Sequence, residues 1–247
     1  MRALIVSDIH ANLAAFEAVL KDARAVGAID AVWNMGDSVG YGPQPSECIA
    51  LLREHDASWV AGNHERAATG AMGIEDFNQV AGAAALWTKS TLSPGEKDFL
   101  DRLPETRAEG DWVLVHGTLR EPIWEYLLDE DSALAHFSLM TVPFSFVGHT
   151  HVPAVVRQAP KSPRGCEMQR LRDGDVVRLS RDTKTVLNPG SVGQPRDGDP
   201  RSSYGIYDSE VATFTLHRVD YDIEATQRLM MEAELPDWLS ERLAIGR

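Results

Sequence analysis

Five short blocks of this chain carry side chains that bind cations. They are Asp8-Ile9-His10, Gly36-Asp37, Gly62-Asn63-His64, His116-Gly117 and Gly148-His149-Thr150-His151, and five of the eight histidines fall in them. In Asp8-x-His10 the alternation of an extended strand puts both side chains on one side, so one cation can take both. His149-x-His151 repeats that spacing with two imidazoles. Asp37 offers two oxygens and a negative charge, enough to bridge two cations. Asn63 adds a neutral amide oxygen, and His116 closes a strand. The neighbouring glycines leave room for close backbone approach. The only cysteines are Cys48 and Cys166, with no paired motif, so any metal must be held by oxygen and imidazole. That donor set suits manganese, iron, nickel, cobalt or zinc. Two such ions can share a hydroxide and polarise a phosphoryl group. His64 directly follows Asn63, so its side chain points elsewhere. It is a candidate to protonate a leaving alkoxide.

Each block follows an apolar run that reads as a buried strand: Ala3–Ser7, Ala31–Met35, Ser58–Ala61, Trp112–His116 and Phe144–Gly148. Between the first two, Leu13–Val26 has apolar residues at helical spacing, with Asn12 as N-cap. A second helix is expected near Pro45–Glu54. This βαβαβ start implies a parallel sheet. Residues 65–102 read as helices, the last starting at Ser93-Pro94. From Val152 onward the pattern turns β-rich, and Asp173-Gly174 reads as a hairpin turn. Residues 222–245 return to a helical period. The expected organisation is one domain over 1–247, with a helical cap near 65–140 and C-terminal helices over 222–247.

A chain of 247 residues can bury roughly three quarters of its unfolded surface. With 43% hydrophobic and 25% charged residues it has the balance of a soluble globule. The net charge of −13 disfavours a general nucleic-acid surface but not a small phosphorylated substrate, because divalent cations reverse the local field. No run of 18 apolar residues occurs and no cleavable signal precedes the first strand, so no membrane contact and a cytoplasmic location are expected.

In order and without a missing ligand, the five blocks resemble the D-x-H, G-D, G-N-H, H and G-H-x-H signature of the calcineurin-like metallophosphoesterase superfamily, most closely its small bacterial and archaeal phosphoesterases. The resemblance spans residues 3–192. Single pairs such as D-x-H are weak; all five in sequence are specific. It implies an α/β (α+β) fold, a four-layer sandwich of two central mixed β-sheets flanked by helices. It implies that Asp8, His10, Asp37 and His151 hold one divalent metal and that Asp37, Asn63, His116 and His149 hold a second. Manganese or iron ranks first. His64 is then free of metal and acts on the leaving group. The implied activity is phosphodiester hydrolysis by a hydroxide bridging the two metals. The alternatives are a phosphomonoesterase, including a protein phosphatase, and a non-catalytic protein-binding scaffold on the same fold.

The protein Ser/Thr phosphatases of that superfamily carry G-D-x-V-D-R-G. Here the stretch is Gly36-Asp37-Ser38-Val39-Gly40-Tyr41-Gly42. The second acid and the arginine are absent, which argues against that branch and leaves His64 without an identified partner. The loop Asn188-Pro189-Gly190-Ser191-Val192-Gly193 resembles one common in the small phosphoesterases. Asn188 and Arg196 are candidate substrate contacts, against the simpler reading of a glycine-proline turn with a solvated arginine. Tyr41 lines the cleft or packs, with neither favoured. His55, His136 and His217 are read as structural.

Overall fold

A computed structural model describes residues 1–247. Two six-stranded mixed sheets pack face to face. The first contains β1 (Arg2–Val6), β2 (Ala31–Asn34), β3 (Ser58–Trp59), β9 (Val176–Arg178), β11 (Ser202–Asp208) and β12 (Thr213–Val219), in the order β3-β2-β1-β11-β12-β9. The second contains β4 (Thr106–Glu109), β5 (Trp112–Val115), β6 (Phe144–Phe146), β7 (Ala154–Gln158), β8 (Cys166–Arg170) and β10 (Thr185–Asn188), in the order β4-β5-β6-β10-β7-β8. The parallel pairs are β1 with β2, β2 with β3, β5 with β6 and β6 with β10. Carboxyl ends of parallel strands from both sheets therefore meet along one rim, where open α/β sheets bind ligands.

The helices are α1 (Leu13–Val26), α2 (Pro45–Glu54), α3 (Asn63–Thr69), α4 (Gln79–Thr91), α5 (Pro94–Asp101), α6 (Glu130–Leu139), α7 (Ile223–Glu232) and α8 (Asp237–Glu241), with a 3-10 turn at Arg242–Ile245. In α1, Phe16, Val19, Leu20 and Ala23 recur at helical spacing and bury against the outer face of the first sheet. Asn12 caps that helix through Ala15 N (3.2 Å). In α5, Ser93 and Glu96 cap each other, with Pro94 in the first turn. Between the sheets lie Ile5, Trp33, Leu114, Phe146, Leu187 and Phe214. Each such side chain contributes roughly 1.5–3 kcal/mol by leaving water. Trp112 stacks on Phe146 at 4.1 Å between ring centroids. On the far side, Ala133 and Phe137 of α6 cover the second sheet. The result is the four-layer sandwich expected from the sequence.

Two local expectations need correction. The 65–140 stretch is not a helical cap throughout. Residues 106–115 form an antiparallel strand pair that extends the second sheet. What covers the rim is smaller: Ala81 and Ala84 of α4 pack with Tyr41 and with Met230, Leu239 and Leu243 from the C-terminal helices. Asp173-Gly174 is a turn but not a hairpin. Its flanking strands β8 and β9 pair in different sheets, so the chain crosses the sandwich there. The Asp173 carboxylate fixes the crossing by accepting from Arg218 N and Arg201 Nη1 (3.0 and 2.9 Å).

Candidate metal centre

The candidate ligand residues sit just past β1, β2, β3, β5 and β6, not on the strands. Asp8, His10, Asp37, His149 and His151 are all left-handed, with φ between 49° and 65°. The sequence expectation that strand alternation aligns Asp8 with His10 and His149 with His151 is therefore corrected. The side chains converge because the backbone coils, at a cost of about 1–3 kcal/mol per non-glycine residue. Hydrogen bonds hold the coil. Asp8 N donates to Gly36 O (3.0 Å), His10 N to Asp37 O (2.9 Å), and Gly193 N and Ser191 Oγ to Asp8 O (2.9 and 2.8 Å).

Two donor groups result. In one, His151 Nε2 lies 3.3 Å from Asp8 Oδ1 and 3.1 Å from His10 Nε2. In the other, His116 Nε2 lies 3.2 Å from Asn63 Oδ1 and 3.0 Å from His149 Nδ1. Asp37 Oδ2 belongs to both, 3.8 Å from His10 Nε2 and 3.2 Å from His116 Nε2. The seven ligand residues expected from the sequence are thus brought together, all buried.

The far nitrogen of each ligand ring donates to a backbone carbonyl. His10 Nδ1 donates to Val39 O (3.1 Å), His116 Nδ1 to Met35 O (2.8 Å), His149 Nε2 to Trp124 O (3.1 Å) and His151 Nδ1 to Gln194 O (2.5 Å). These bonds fix the far nitrogens as N–H, so in the neutral rings of His10, His149 and His151 the inward nitrogen is a lone pair, while His116 Nε2 faces Asp37 Oδ2 (3.2 Å). The His10 and His151 lone pairs, facing each other at 3.1 Å, repel unless something positive lies between them. Asp8 Oδ1 is buried with no hydrogen-bond donor. The donors therefore fit divalent cations.

The electrostatics agree. Burial pushes Asp8 up to about 7, against the pull of His116. Burial would also raise Asp37, but His116 and His64 outweigh it and hold Asp37 below the usual carboxylate range. Burial lowers His116 too, yet Asp37 lifts it to about 9. Burial and the positive charge of His116 push His149 down to about 3. Burial and His64 lower His10, and burial and Arg196 lower His151. Without cations His116 keeps a proton beside Asp37, and burial favours a second on Asp8. The other rings are neutral and ready to ligate.

His64 is placed differently. It comes within 4.8 Å of donor atoms of His10 and Asp37, close enough to serve what they hold. Its backbone N–H donates to Asp37 Oδ1 (2.9 Å). No carbonyl anchors its ring, and Nδ1 is buried without a partner. Gly40 lies against that nitrogen: a Cβ there would stand 2.1 Å from His64 Nδ1, and its φ of +84° is a glycine conformation. Burial, then Arg196 and His116, push His64 down to about 4 despite Asp37. The ring is ringed by Tyr41 (4.3 Å), His10 (4.8 Å) and Phe77 (5.2 Å).

The two candidate substrate contacts part company. Arg196 stands at the cleft, its guanidinium over the Tyr41 ring (5.7 Å) and its Nη2 donating to Gln194 Oε1 (3.0 Å). Asn188 is corrected to a positioning residue. It is buried, with Nδ2 donating to Gly148 O and Thr150 Oγ1 (2.7 and 3.0 Å) and Oδ1 accepting from Gly190 N (2.8 Å). Its amide is spent on clamping the Gly148–His151 turn, which leaves nothing for a substrate.

Sequence reasoning missed Glu65. Its buried carboxylate accepts from Asp37 N (2.8 Å), Ser38 N (2.7 Å), Ser38 Oγ (2.5 Å) and Gly62 N (2.8 Å), tying two ligand loops together. The signal was its place three residues after Gly62, the spacing of a helix-capping carboxylate. The aromatic wall was also missed. Tyr126 stacks on His149 (3.8 Å, 11°), and Trp124 meets Phe77 (5.1 Å), which in turn meets His64.

Comparison with known proteins agrees with this geometry. The calcineurin-like phosphoesterase superfamily domain matches residues 1–211. An uncharacterized protein of Methanocaldococcus jannaschii is 38% identical over 98% of this chain and 97% of its own. The crystal structure of a metallophosphoesterase from Sphaerobacter thermophilus is 45% identical, covers 100% of this chain and 99% of its own, and superposes with a TM-score of 0.90. A hypothetical protein from Pyrococcus horikoshii shares the fold at 17% identity, covering 100% of this chain and 98% of its own, with a TM-score of 0.80. With its ligand loops and its matched domain in agreement, this chain belongs to the calcineurin-like phosphoesterase superfamily.

Proposed function

We propose that this protein is a binuclear metallophosphoesterase that hydrolyses small phosphodiesters, with His64 as general acid. The observation that carries the reading is the sharing of Asp37 between two donor groups, with the unanchored His64 ring beside them. When bound, two divalent cations supply Lewis acidity toward the phosphoryl oxygens and an acidified water. Manganese or iron fits the oxygen and imidazole donors.

The chain's own residues supply the rest. Asp37 and the four anchored imidazoles hold the centre rigid. His64 faces the leaving oxygen. Its depressed pKa leaves it neutral in the free protein at pH 7. A phosphate anion arriving beside the ring favours the charged form, against the cations, which oppose it. Aromatic surface lies on two sides of the centre, Tyr41 and Phe77 near His64 and Tyr126 over His149. That gives apolar space for two ester substituents, which a diester has and a monoester lacks. The two buried, unpaired cysteines suit a reducing cytoplasm.

The test is hydrolysis of bis(p-nitrophenyl) phosphate and p-nitrophenyl phosphate by chelator-stripped protein, with and without manganese. Turnover restored by manganese, faster on the diester, is expected. No turnover of either ester by protein shown to hold metal would overturn the reading.

A further inference from the structure

A second cavity stands apart from the metal centre, where β3, α2 and the connection from α5 to β4 meet. It holds about 380 Å³ and shares no lining residue with the donor groups. Arg53, Arg102 and Arg107 line it, against one acid, Asp56. The three come from separate elements: α2, the residue after α5, and β4. In a chain of net charge −13 this inverts the local field, because a cleft lined by one sign of charge focuses it. Two of the three are fixed by their neighbours. The Arg53 guanidinium lies over the Phe99 ring at 5.0 Å, and Phe99 meets the buried Trp59 at 5.3 Å. Arg107 Nε donates to Glu109 Oε1 (2.8 Å), which also accepts Ser58 Oγ (2.6 Å). Arg53 is exposed, so a flat ring can stack on the guanidinium face that Phe99 leaves open. The floor is apolar: Leu52, Trp59 and Leu103. One wall is bonded to the segment that carries residues of the metal centre. Arg66 of α3 donates from Nη1 to Asp101 O and from Nη2 to Leu103 O (both 2.8 Å), and Ala61 N donates to Pro104 O (2.8 Å). Between Ala61 and Arg66 lie Asn63, His64 and Glu65. A ligand pressed against residues 101–104 therefore bears on the helix that starts at Asn63.

We propose that this cavity binds a nucleoside monophosphate as an effector, with the base on Arg53 and the phosphate on Arg102 and Arg107. Charge-assisted hydrogen bonds hold the phosphate, and the bonds of Arg66 to residues 101–103 couple occupancy to α3. The effect on turnover rests on the phosphodiesterase reading above; the binding site does not.

Photolabelling locates the ligand. The manganese-loaded full chain is irradiated with 8-azidoadenosine 5′-monophosphate, and the labelled peptides are mapped by mass spectrometry. Label should fall within residues 52–59 or 99–107. Excess adenosine 5′-monophosphate should prevent it, and adenosine should protect roughly tenfold less well, as one lost charge-assisted contact implies. Arg102→Gln, at an exposed position, should weaken protection by the monophosphate about tenfold, and Arg102→Lys by less. The saturating monophosphate should also change kcat for bis(p-nitrophenyl) phosphate, and Arg102→Gln should abolish that change; competition at the centre would raise KM alone. Label confined to the aromatic residues of the metal centre, Tyr41, Phe77 and Tyr126, overturns the site. Equal protection by adenosine overturns the phosphate assignment. A kcat untouched by the monophosphate overturns the regulatory role. The mapping needs no turnover, so a chain inactive on nitrophenyl esters still confirms or refutes the site.

Discussion

The Asp37 carboxylate accepts the backbone N–H of His64 at 2.9 Å while its other oxygen stands between the two donor groups. The proposed shared ligand and the proposed acid are thus fixed by one side chain. Asp37→Asn keeps an oxygen for His64 N–H but removes the charge that both donor groups use. Both metals should weaken together, by at least roughly tenfold each. Elemental analysis after dialysis should find less than one ion per chain. Two ions retained would contradict the bridging role.

His64→Ala should leave metal content unchanged, because His64 is not among the carbonyl-anchored rings. Turnover of alkyl diesters should fall by about 10²–10⁴-fold, and that of nitrophenyl diesters by less than about tenfold, since nitrophenolate needs little protonation. Gly40→Ala tests the same ring indirectly. Its methyl would press on His64 Nδ1, so the alkyl-ester rate should drop with both metals in place. Equal losses on good and poor leaving groups would argue against an acid role.

Most of the centre was legible because its donors are chemically rare and lie in short blocks. Leu13–Val26 and Pro45–Glu54 were legible because their caps and apolar periods are local. What escaped depends on contacts between distant segments. Nothing local distinguishes Asn188 as a clamp from Asn188 as a contact. The choice is made by Gly148 O and Thr150 Oγ1, about forty residues upstream. Strand β4 carries exposed polar residues and is defined only by pairing with β5. The left-handed turn after β1 replaced the expected strand alternation because backbone bonds to Gly36, Asp37 and Gly193 hold it, and the turn after β6 did so because Asn188 and the Asp8 carboxylate hold it.

Glu65 accepts four hydrogen bonds from the Asp37 and Asn63 loops, and a carboxylate alone can accept them all. Glu65→Gln would turn an NH₂ group toward backbone N–H donors. A buried donor left unpaired costs about 1–3 kcal/mol, so the urea midpoint should fall and metal affinity with it. Unchanged stability and metal content in this variant would show that the loops hold without the charge.

His136 offers a test away from the metals. It lies on the buried face of α6, where its Nδ1 accepts the Leu119 N–H (3.1 Å) and Nε2 has no partner. Burial lowers it to about 4, against a slight pull from Glu125. The folded pKa lies below the unfolded one, so the folded state binds fewer protons between them. The stability this neutral ring supplies is complete above pH ~6.5 and is lost as pH falls toward 4, at about 1.4 kcal/mol per unit, for a total on the order of 3 kcal/mol. His136→Gln keeps an acceptor for Leu119 N–H and cannot titrate. Urea unfolding of chelator-treated protein should show a shallower loss of stability between pH 6.5 and 4 in the variant than in the wild type. Parallel acid limbs would mean that His136 is protonated in the folded chain and that its burial is not what sets its pKa.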